Sequence, residues 1–278
     1  MKIKEILEYG KNNLIQEDSY RLSKLLLKHL LNVNDTYMLI NSNEDISSDV
    51  EEKFIKSIEL LKSGIPVQYI TNYQEFMKLD FYVDSNVLIP QPDTEILVEE
   101  VLEVLKQKES KKNILDLCTG SGAIGVSIAK YIENVSVIMS DISNSALEIA
   151  KKNALNNEVI DNCDFVLSDM FKNIEGKFDV IVSNPPYIKS KVISSLDKEV
   201  QNEPYLALDG GEDGLEFYRI IAEKAYKYLN ESGILALEIG YDQKEQVINL
   251  LNSVGQYTDI CCKKDLAGND RVIIAKII

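Results

Sequence analysis

A single histidine, His29, stands in 278 residues, which excludes a histidine dyad or a multi-histidine metal centre. It lies in the run Leu25-Leu26-Leu27-Lys28-His29-Leu30-Leu31 and reads as a helix-surface residue. Cysteine is nearly as scarce. Cys118, Cys163, Cys261 and Cys262 show no metal-ligand spacing, and an adjacent pair is poor geometry for a disulfide. All four read as reduced, as in a cytoplasmic protein, and no metal is expected. Nowhere is an apolar run long enough to span a membrane, and charges break the pattern of Met1-Lys2-Ile3-Lys4-Glu5-Ile6-Leu7-Glu8 where a signal peptide needs an apolar core. Repeats and low-complexity segments are lacking. Basic residues are also in deficit, 30 against 45 acidic, for a net charge of −15. Residues 1–80 hold 10 basic and 13 acidic side chains; the remainder holds 20 and 32. An enzyme of nucleic acid needs cations against phosphate, so this balance argues for a small molecule or a basic protein as partner, with no direct nucleic-acid contact.

What is present is order along the chain. Apolar residues recur at helical spacing over 2–62 (Ile3, Ile6, Leu7; Leu22, Leu25, Leu26, Leu30; Val50, Phe54, Ile58, Leu61), and Gly64 and Pro66 stop the pattern. Residues 1–72 are read as a small helical domain that recognises substrate. From Tyr73 to Ile89 the period shortens, which predicts two strands around a turn at Asp84-Ser85-Asn86, a hairpin linker over 73–92. Asp93-Thr94-Glu95 is read as the cap of a helix to Leu105. From 113 onward strands and helices alternate and the chain closes on a strand pair, 257–263 and 271–277. This predicts an α/β fold over 93–278: a Rossmann-like, mostly parallel seven-stranded sheet with an antiparallel edge.

Two segments carry chemistry. Asp116-Leu117-Cys118-Thr119-Gly120-Ser121-Gly122-Ala123-Ile124-Gly125 places Gly-x-Gly-x-x-Gly between a strand and a helix, where backbone N–H groups meet a ligand. Asp141 ends the second strand, where a ribose-binding carboxylate belongs. Such a loop serves a dinucleotide or a nucleoside. Asp116 would repel a pyrophosphate but suits an amino-acid ammonium, and Asp169 offers an acceptor for an adenine amino group beside the apolar Met170 and Phe171. Together these describe S-adenosylmethionine, with Cys118, Thr119, Gly120, Ser121 and Gly122 as the cradle. The second segment is Ser183-Asn184-Pro185-Pro186-Tyr187, after the apolar strand 178–182. The Asn184 side-chain oxygen and the Pro185 carbonyl can each accept one hydrogen of a planar –NH2 group. Pro185 and Pro186 stiffen the turn, and Tyr187 offers a ring face. Asn184 therefore stands at both the cofactor and the substrate, and Asn184, Pro185 and Tyr187 are the catalytic candidates.

These motifs resemble class I S-adenosylmethionine-dependent methyltransferases acting on amide or amino nitrogens. Further segments narrow the resemblance: Ile65-Pro66-Val67-Gln68-Tyr69-Ile70, Val87-Leu88-Ile89-Pro90, Glu203-Pro204, Gly210-Gly211-Glu212-Asp213-Gly214-Leu215, Leu237-Glu238-Ile239-Gly240 and Asp265-Leu266-Ala267-Gly268-Asn269-Asp270-Arg271. From about residue 64 to the end the chain is similar to the HemK/PrmC-type peptide chain release factor glutamine methyltransferases. The resemblance implies methyl transfer to the glutamine amide of a Gly-Gly-Gln loop in release factors, by a monomer. Three positions depart from the family pattern. Gln91 stands where arginine is usual, Asp93 where glutamate is usual, and Cys118 where glycine is usual, the last being tolerable only at negative φ. The connection 188–212 is expected to be a mobile loop that closes over substrate. The competing readings are a nucleic-acid adenine methyltransferase working on a flipped base, a non-catalytic nucleoside-binding protein and, more distantly, a dehydrogenase.

Overall fold

A computed structural model describes residues 1–15, 18–106 and 111–278. In chain order it contains α1 (Ile3–Asn13), α2 (Ser19–Leu31), α3 (Asp35–Ile40), α4 (Ser48–Lys62), α5 (Val67–Thr71), β1 (Gln74–Phe76), β2 (Leu79–Phe81), α6 (Pro92–Leu105), β3 (Lys112–Leu117), α7 (Ala123–Tyr131), β4 (Val135–Asp141) and α8 (Asn144–Asn156). There follow β5 (Cys163–Leu167), β6 (Phe178–Ser183), α9 (Ser190–Ile193), α10 (Lys198–Gln201), α11 (Tyr205–Leu208), α12 (Glu216–Lys224), β7 (Leu229–Glu238), α13 (Lys244–Val254), β8 (Tyr257–Lys264) and β9 (Asp270–Ile277). Contacts divide the chain into two units, Met1–Asn72 with Asp197–Asn202, and Tyr73–Leu196 with Glu203–Ile278. Residues 73–92 group with the second unit.

The first unit is helical because its apolar positions recur every three to four residues. Ile3, Ile6 and Leu7 of α1, Leu22, Leu26 and Leu27 of α2, and Phe54, Ile58 and Leu61 of α4 meet in one buried cluster. Asn34 and Ser47 cap α3 and α4, accepting from the N–H groups of Tyr37 and Val50. Residues 16–17 of the predicted helical stretch lie outside the described residues.

The second unit is a seven-stranded sheet in the order β5-β4-β3-β6-β7-β9-β8. Every neighbouring pair is parallel except those made by β9, which runs against β7 and β8. Alternate residues of the strands feed opposite cores. Ile114, Val137, Met139, Val180 and Val182 pack with α6, α7 and α8 on one face. Leu115, Leu117, Ile181, Leu235 and Leu237 pack with α12 and α13 on the other. With both faces covered, the central strands read as near-continuous apolar runs. Strand order reverses between β3 and β6, so a crevice opens at their C-terminal ends.

Three local expectations are corrected. The hairpin turns at Met77 and Lys78, both at positive φ (51° and 59°), and not at 84–86; Val87–Ile89 forms no strand. Two consecutive left-handed residues are normally Asn-Gly, so no turn signal marks this site. Tertiary contacts hold it: the Met77 N–H donates to Glu95 Oε1 at 2.6 Å, and the Tyr131 hydroxyl donates to the Met77 carbonyl. Second, the helix after Pro90 begins at Pro92 with Gln91 at its cap, so Asp93, Thr94 and Glu95 sit in its first turn. Third, the connection 188–212 carries the one-turn helices α9, α10 and α11.

Candidate active site

The ends of β3, β4, β5 and β6 surround a cavity of about 190 Å³. Its walls include Cys118, Thr119, Gly120, Ser121, Asp141, Asp169, Met170, Asn184 and Pro186, together with Thr94 of α6 and the apolar Val87, Leu88 and Phe217. Residues from four strand ends and two connections thus converge where the strand order reverses.

The glycine loop is held by hydrogen bonds within the protein. Thr119 N–H donates to the Ser140 carbonyl, and the Gly120 N–H donates to Asp141 Oδ2 at 2.9 Å. Asp141 Oδ1 accepts from the Ser143 N–H at 2.9 Å. Asp141 therefore pins the loop of β3 to the end of β4 while it borders the cavity. Its carboxyl is held above the usual range by burial. Gly122 caps α7 at a φ of 80°, and a Cβ there would lie 2.9 Å from that of Ala150. Left-handed backbone and a close helix contact together demand glycine.

Asp116 is not on the wall. It is fully buried beneath the loop, where Oδ2 accepts from Thr119 Oγ1 at 2.6 Å and from the Gly125 N–H at 3.0 Å. Desolvation pushes its carboxyl up to about 7. The expected contact with an ammonium is replaced by a role in shaping the loop, because the Gly125 N–H at the start of α7 draws the carboxylate inward. Gly122, too, shapes the loop without bordering the cavity.

Cys118 overturns the expectation of negative φ. It sits at +59°, half-buried on the cavity wall, with its Sγ 3.9 Å from Sδ of Met170, itself at a φ of 51°. Burial drives the thiol well above its usual range, so no thiolate nucleophile is present. A non-glycine residue in this region stores about 1 kcal/mol. Cys118→Gly is therefore expected to raise unfolding stability by about 1 kcal/mol, less the small loss of thiol packing. The midpoint of a denaturant titration measures it; an unchanged or lower midpoint would show that the sulfur contact outweighs the strain.

At the end of β6, Ser183 Oγ donates to the Leu117 carbonyl at 2.7 Å, tying the turn to β3. Asn184 follows on the wall. Its Nδ2 donates to Thr94 Oγ1 at 3.3 Å, and the Thr94 hydroxyl donates to Glu238 Oε2 at 2.6 Å. Pro185 and Tyr187 do not border the cavity. Tyr187 turns its hydroxyl to Glu238 Oε1 at 3.3 Å, and its carbonyl accepts from Gln243 Nε2 at 3.0 Å. The half-buried ring, expected to offer a face to substrate, packs against the core, and burial lifts its phenol well above the usual value. Phe171 likewise faces the core, stacked on Tyr228 with centroids 4.9 Å apart. Asp169 lies on the wall as expected, paired with Lys172 at 2.6 Å.

Thr94, Glu238 and Gln243 carry no role in the reading of the residues. Glu238 is 2% exposed at the end of β7, and burial pushes its carboxyl up to about 7 against the pull of Thr94, Arg271 and Tyr187. The signal available was a lone acid closing the apolar strand Ile234–Ile239, which is costly unless partnered. Glu203 is also raised to about 7 by burial, with the Ile89 N–H donating to it at 2.9 Å.

Asp116, Glu203 and Glu238 share a consequence for stability. An acid with a folded pKa above its unfolded one holds its proton more tightly when folded. The stability it adds is complete below about 4 and is lost as pH rises through about 7. Asp209 and Asp213, held low by Ser190 and Arg219, titrate beneath that window and do not oppose it. Tm is expected to fall between pH 5 and pH 8, and Glu203→Gln to shrink the fall. Calorimetry across that range checks it, and a flat profile contradicts it.

The family described as Methyltransferase small domain matches residues 92–208, and that described as PrmC N-terminal domain matches residues 5–71. The chain is 42% identical to the release factor glutamine methyltransferase of Clostridium botulinum, over 99% of both chains. It is 37% identical to that of Bacillus cereus, over the whole of both. A methyltransferase from Pyrococcus furiosus of known structure shares the fold, with a TM-score of 0.52 at 22% identity over 83% of this chain and 98% of that one.

Proposed function

The chain belongs to the release factor glutamine methyltransferases, and from that premise we propose that it moves a methyl group from S-adenosylmethionine to the side-chain amide nitrogen of the glutamine in a Gly-Gly-Gln loop of a peptide chain release factor. The observation that carries the reading is the placement of Asn184 on the cavity wall, at the end of β6 and beside the end of β3, where the glycine loop begins.

The residues present fit the cofactor. Asp141 and Asp169 put carboxylates on two strand ends, suited to a ribose diol and an adenine amino group. Met170, Leu88 and Phe217 supply apolar wall for the flat base. The N–H groups of Thr119, Gly120, Gly122 and Gly125 are bonded within the protein, so Ser121 and the N-terminus of α7 at Ala123 and Ile124, which line the cavity, are the source of N–H groups for an amino-acid carboxylate. An acidic wall also favours the cation. When bound, S-adenosylmethionine supplies the electrophilic methyl.

The chain's own residues handle the amide. A carboxamide nitrogen is a poor nucleophile because its lone pair is delocalised into the carbonyl. Asn184 Oδ1, on the wall, accepts one of its hydrogens, and the carbonyl of Pro185, one residue beyond the wall, accepts the other from a substrate seated on the turn; together they aim the nitrogen at the methyl. Holding two reactants in such a geometry is worth up to roughly 7–11 kcal/mol of barrier. As the nitrogen gains positive character its hydrogens grow more acidic, so these two acceptors bind the transition state better than the ground state, and one hydrogen leaves as a proton to water once the methyl has transferred. Tyr187 fixes the turn from behind. The net acidic surface favours a protein partner over nucleic acid, in keeping with a cytoplasmic enzyme. Among the described residues, no helix is long and apolar enough to cross a membrane.

The test uses S-adenosylmethionine labelled in its methyl group and purified release factor, wild type and with its Gly-Gly-Gln glutamine replaced. Label on the wild-type factor alone supports the reading. Label on both, or on neither, overturns the substrate assignment.

A further inference from the structure

An asparagine amide has two arms of similar shape and opposite character: one accepts, the other donates. Only the accepting arm can take a hydrogen from a substrate amide. Left free to rotate by 180°, Asn184 would present N–H groups to the cavity about as readily as oxygen. The network behind it settles the choice. Glu238, at the end of β7, is buried; in its ionised form it can only accept, so its Oε2 draws the one hydroxyl hydrogen of Thr94 at 2.6 Å and its Oε1 accepts from Tyr187 at 3.3 Å. With that hydrogen committed, Thr94 Oγ1 has only lone pairs to offer Asn184. It accepts from Nδ2 at 3.3 Å. The opposite arm, Oδ1, is the one turned away from Thr94.

We infer that Thr94 and Glu238 are positioning residues that lock the Asn184 amide with its oxygen toward the cavity. The inference rests on the reading of Asn184 as the acceptor of the substrate amide, and it adds two residues on different elements, α6 and β7. The burial of the chain of groups matters to its strength. Thr94 is 4% exposed and Glu238 2%, so water competes poorly for either hydrogen bond. Arg271, paired with Asp265 and Asp93 at 3.0 Å each, supplies the nearby positive charge. Tyr218 donates to the Glu238 carbonyl at 2.9 Å and holds the end of the strand in place.

The experiment is steady-state kinetics with S-adenosylmethionine and release factor. Thr94→Val keeps the shape of the side chain and removes its hydroxyl. It is expected to lower kcat roughly tenfold or more, with the KM for release factor and the Kd for S-adenosylmethionine changed by less than about threefold. Thr94→Ser restores most of the rate. Thr94→Cys, a weak donor and acceptor in the same place, falls between them and carries the test should the valine variant fail to fold. The double variant Thr94→Val/Asn184→Ala is expected to be no slower than Asn184→Ala alone, since no amide remains to be oriented. Wild-type kcat in Thr94→Val, or a double variant slower by the product of the single effects, overturns the inference. Full activity in Asn184→Ala is a different failure, because it removes the reading of Asn184 itself.

Discussion

Asn184→Ala is expected to lower kcat by roughly a hundredfold or more while the Kd for S-adenosylmethionine stays within about threefold. The asymmetry follows from where the residue sits. In the proposed reading the cofactor lies against the loop of β3, Asp141 and the end of β5, whose hydrogen bonds do not involve the Asn184 side chain. The substrate side depends on it heavily. Without Oδ1 one hydrogen of the substrate amide loses its acceptor, and the nitrogen is free to turn away from the methyl. An effect confined to the transition state appears in kcat, whereas uniform binding appears in KM. Single-turnover methylation together with isothermal titration of the cofactor separates the two. Loss of cofactor binding with chemistry intact would move Asn184 to the cofactor.

Gly210→Ala is expected to be severely damaging although Gly210 lies outside the cavity wall. A Cβ at this position would lie 2.7 Å from Tyr187 Cα, 2.8 Å from the Tyr187 carbonyl carbon and 2.9 Å from the Pro186 oxygen. All three are backbone atoms, so no side chain can swing aside. The neighbourhood is held from both sides: the Gly210 N–H donates to the Ile188 carbonyl at 2.8 Å, and Gln243 Nε2 bridges the Tyr187 and Gly214 carbonyls at 3.0 and 3.1 Å. Relief of the clash must displace the segment 184–187. The expected cost is about 3 kcal/mol of stability, and a fall in kcat of roughly tenfold or more in the fraction that folds. Chemical denaturation and kinetics on the purified variant measure both. Stability and kcat near wild type would mean that the turn can shift without disturbing Asn184.

Much of the architecture is legible because it rests on local pattern. The alternation of apolar strands with amphipathic helices after residue 113 is enough to imply a doubly wound sheet, and the observed order β5-β4-β3-β6-β7-β9-β8 agrees. The antiparallel edge follows from two strands at the end of the chain with no helix between them. Where local pattern is weak, the reading shifts. Met77-Lys78 carries no turn chemistry of its own, and its two left-handed residues are imposed by Glu95 and Tyr131. Asp84-Ser85-Asn86 carries strong turn chemistry and forms a tight bend, with Asp84 Oδ1 accepting from the Asn86 N–H at 2.9 Å, but no hairpin.

By itself the sequence determined which chemistry is available: a strand end bearing Asn184-Pro185-Pro186-Tyr187, a glycine loop, and acids at positions 141 and 169, all on the edge of a parallel sheet where ligands gather. It did so because periodicity and glycine placement are properties of neighbouring residues. Tertiary structure alone decided the direction in which each side chain faces. Asp116 turns inward to the Gly125 N–H, Tyr187 turns back to Glu238, and Cys118 is held at a φ that its own side chain disfavours. The partner of Asp116 is nine residues away, but Tyr187 and Glu238 are 51 residues apart and Thr94 and Glu238 144, and Thr94, Asn184 and Glu238 meet only when α6, β6 and β7 have packed. The physical reason is that a buried polar group takes whichever partner the packing brings within reach, and local sequence does not name that partner.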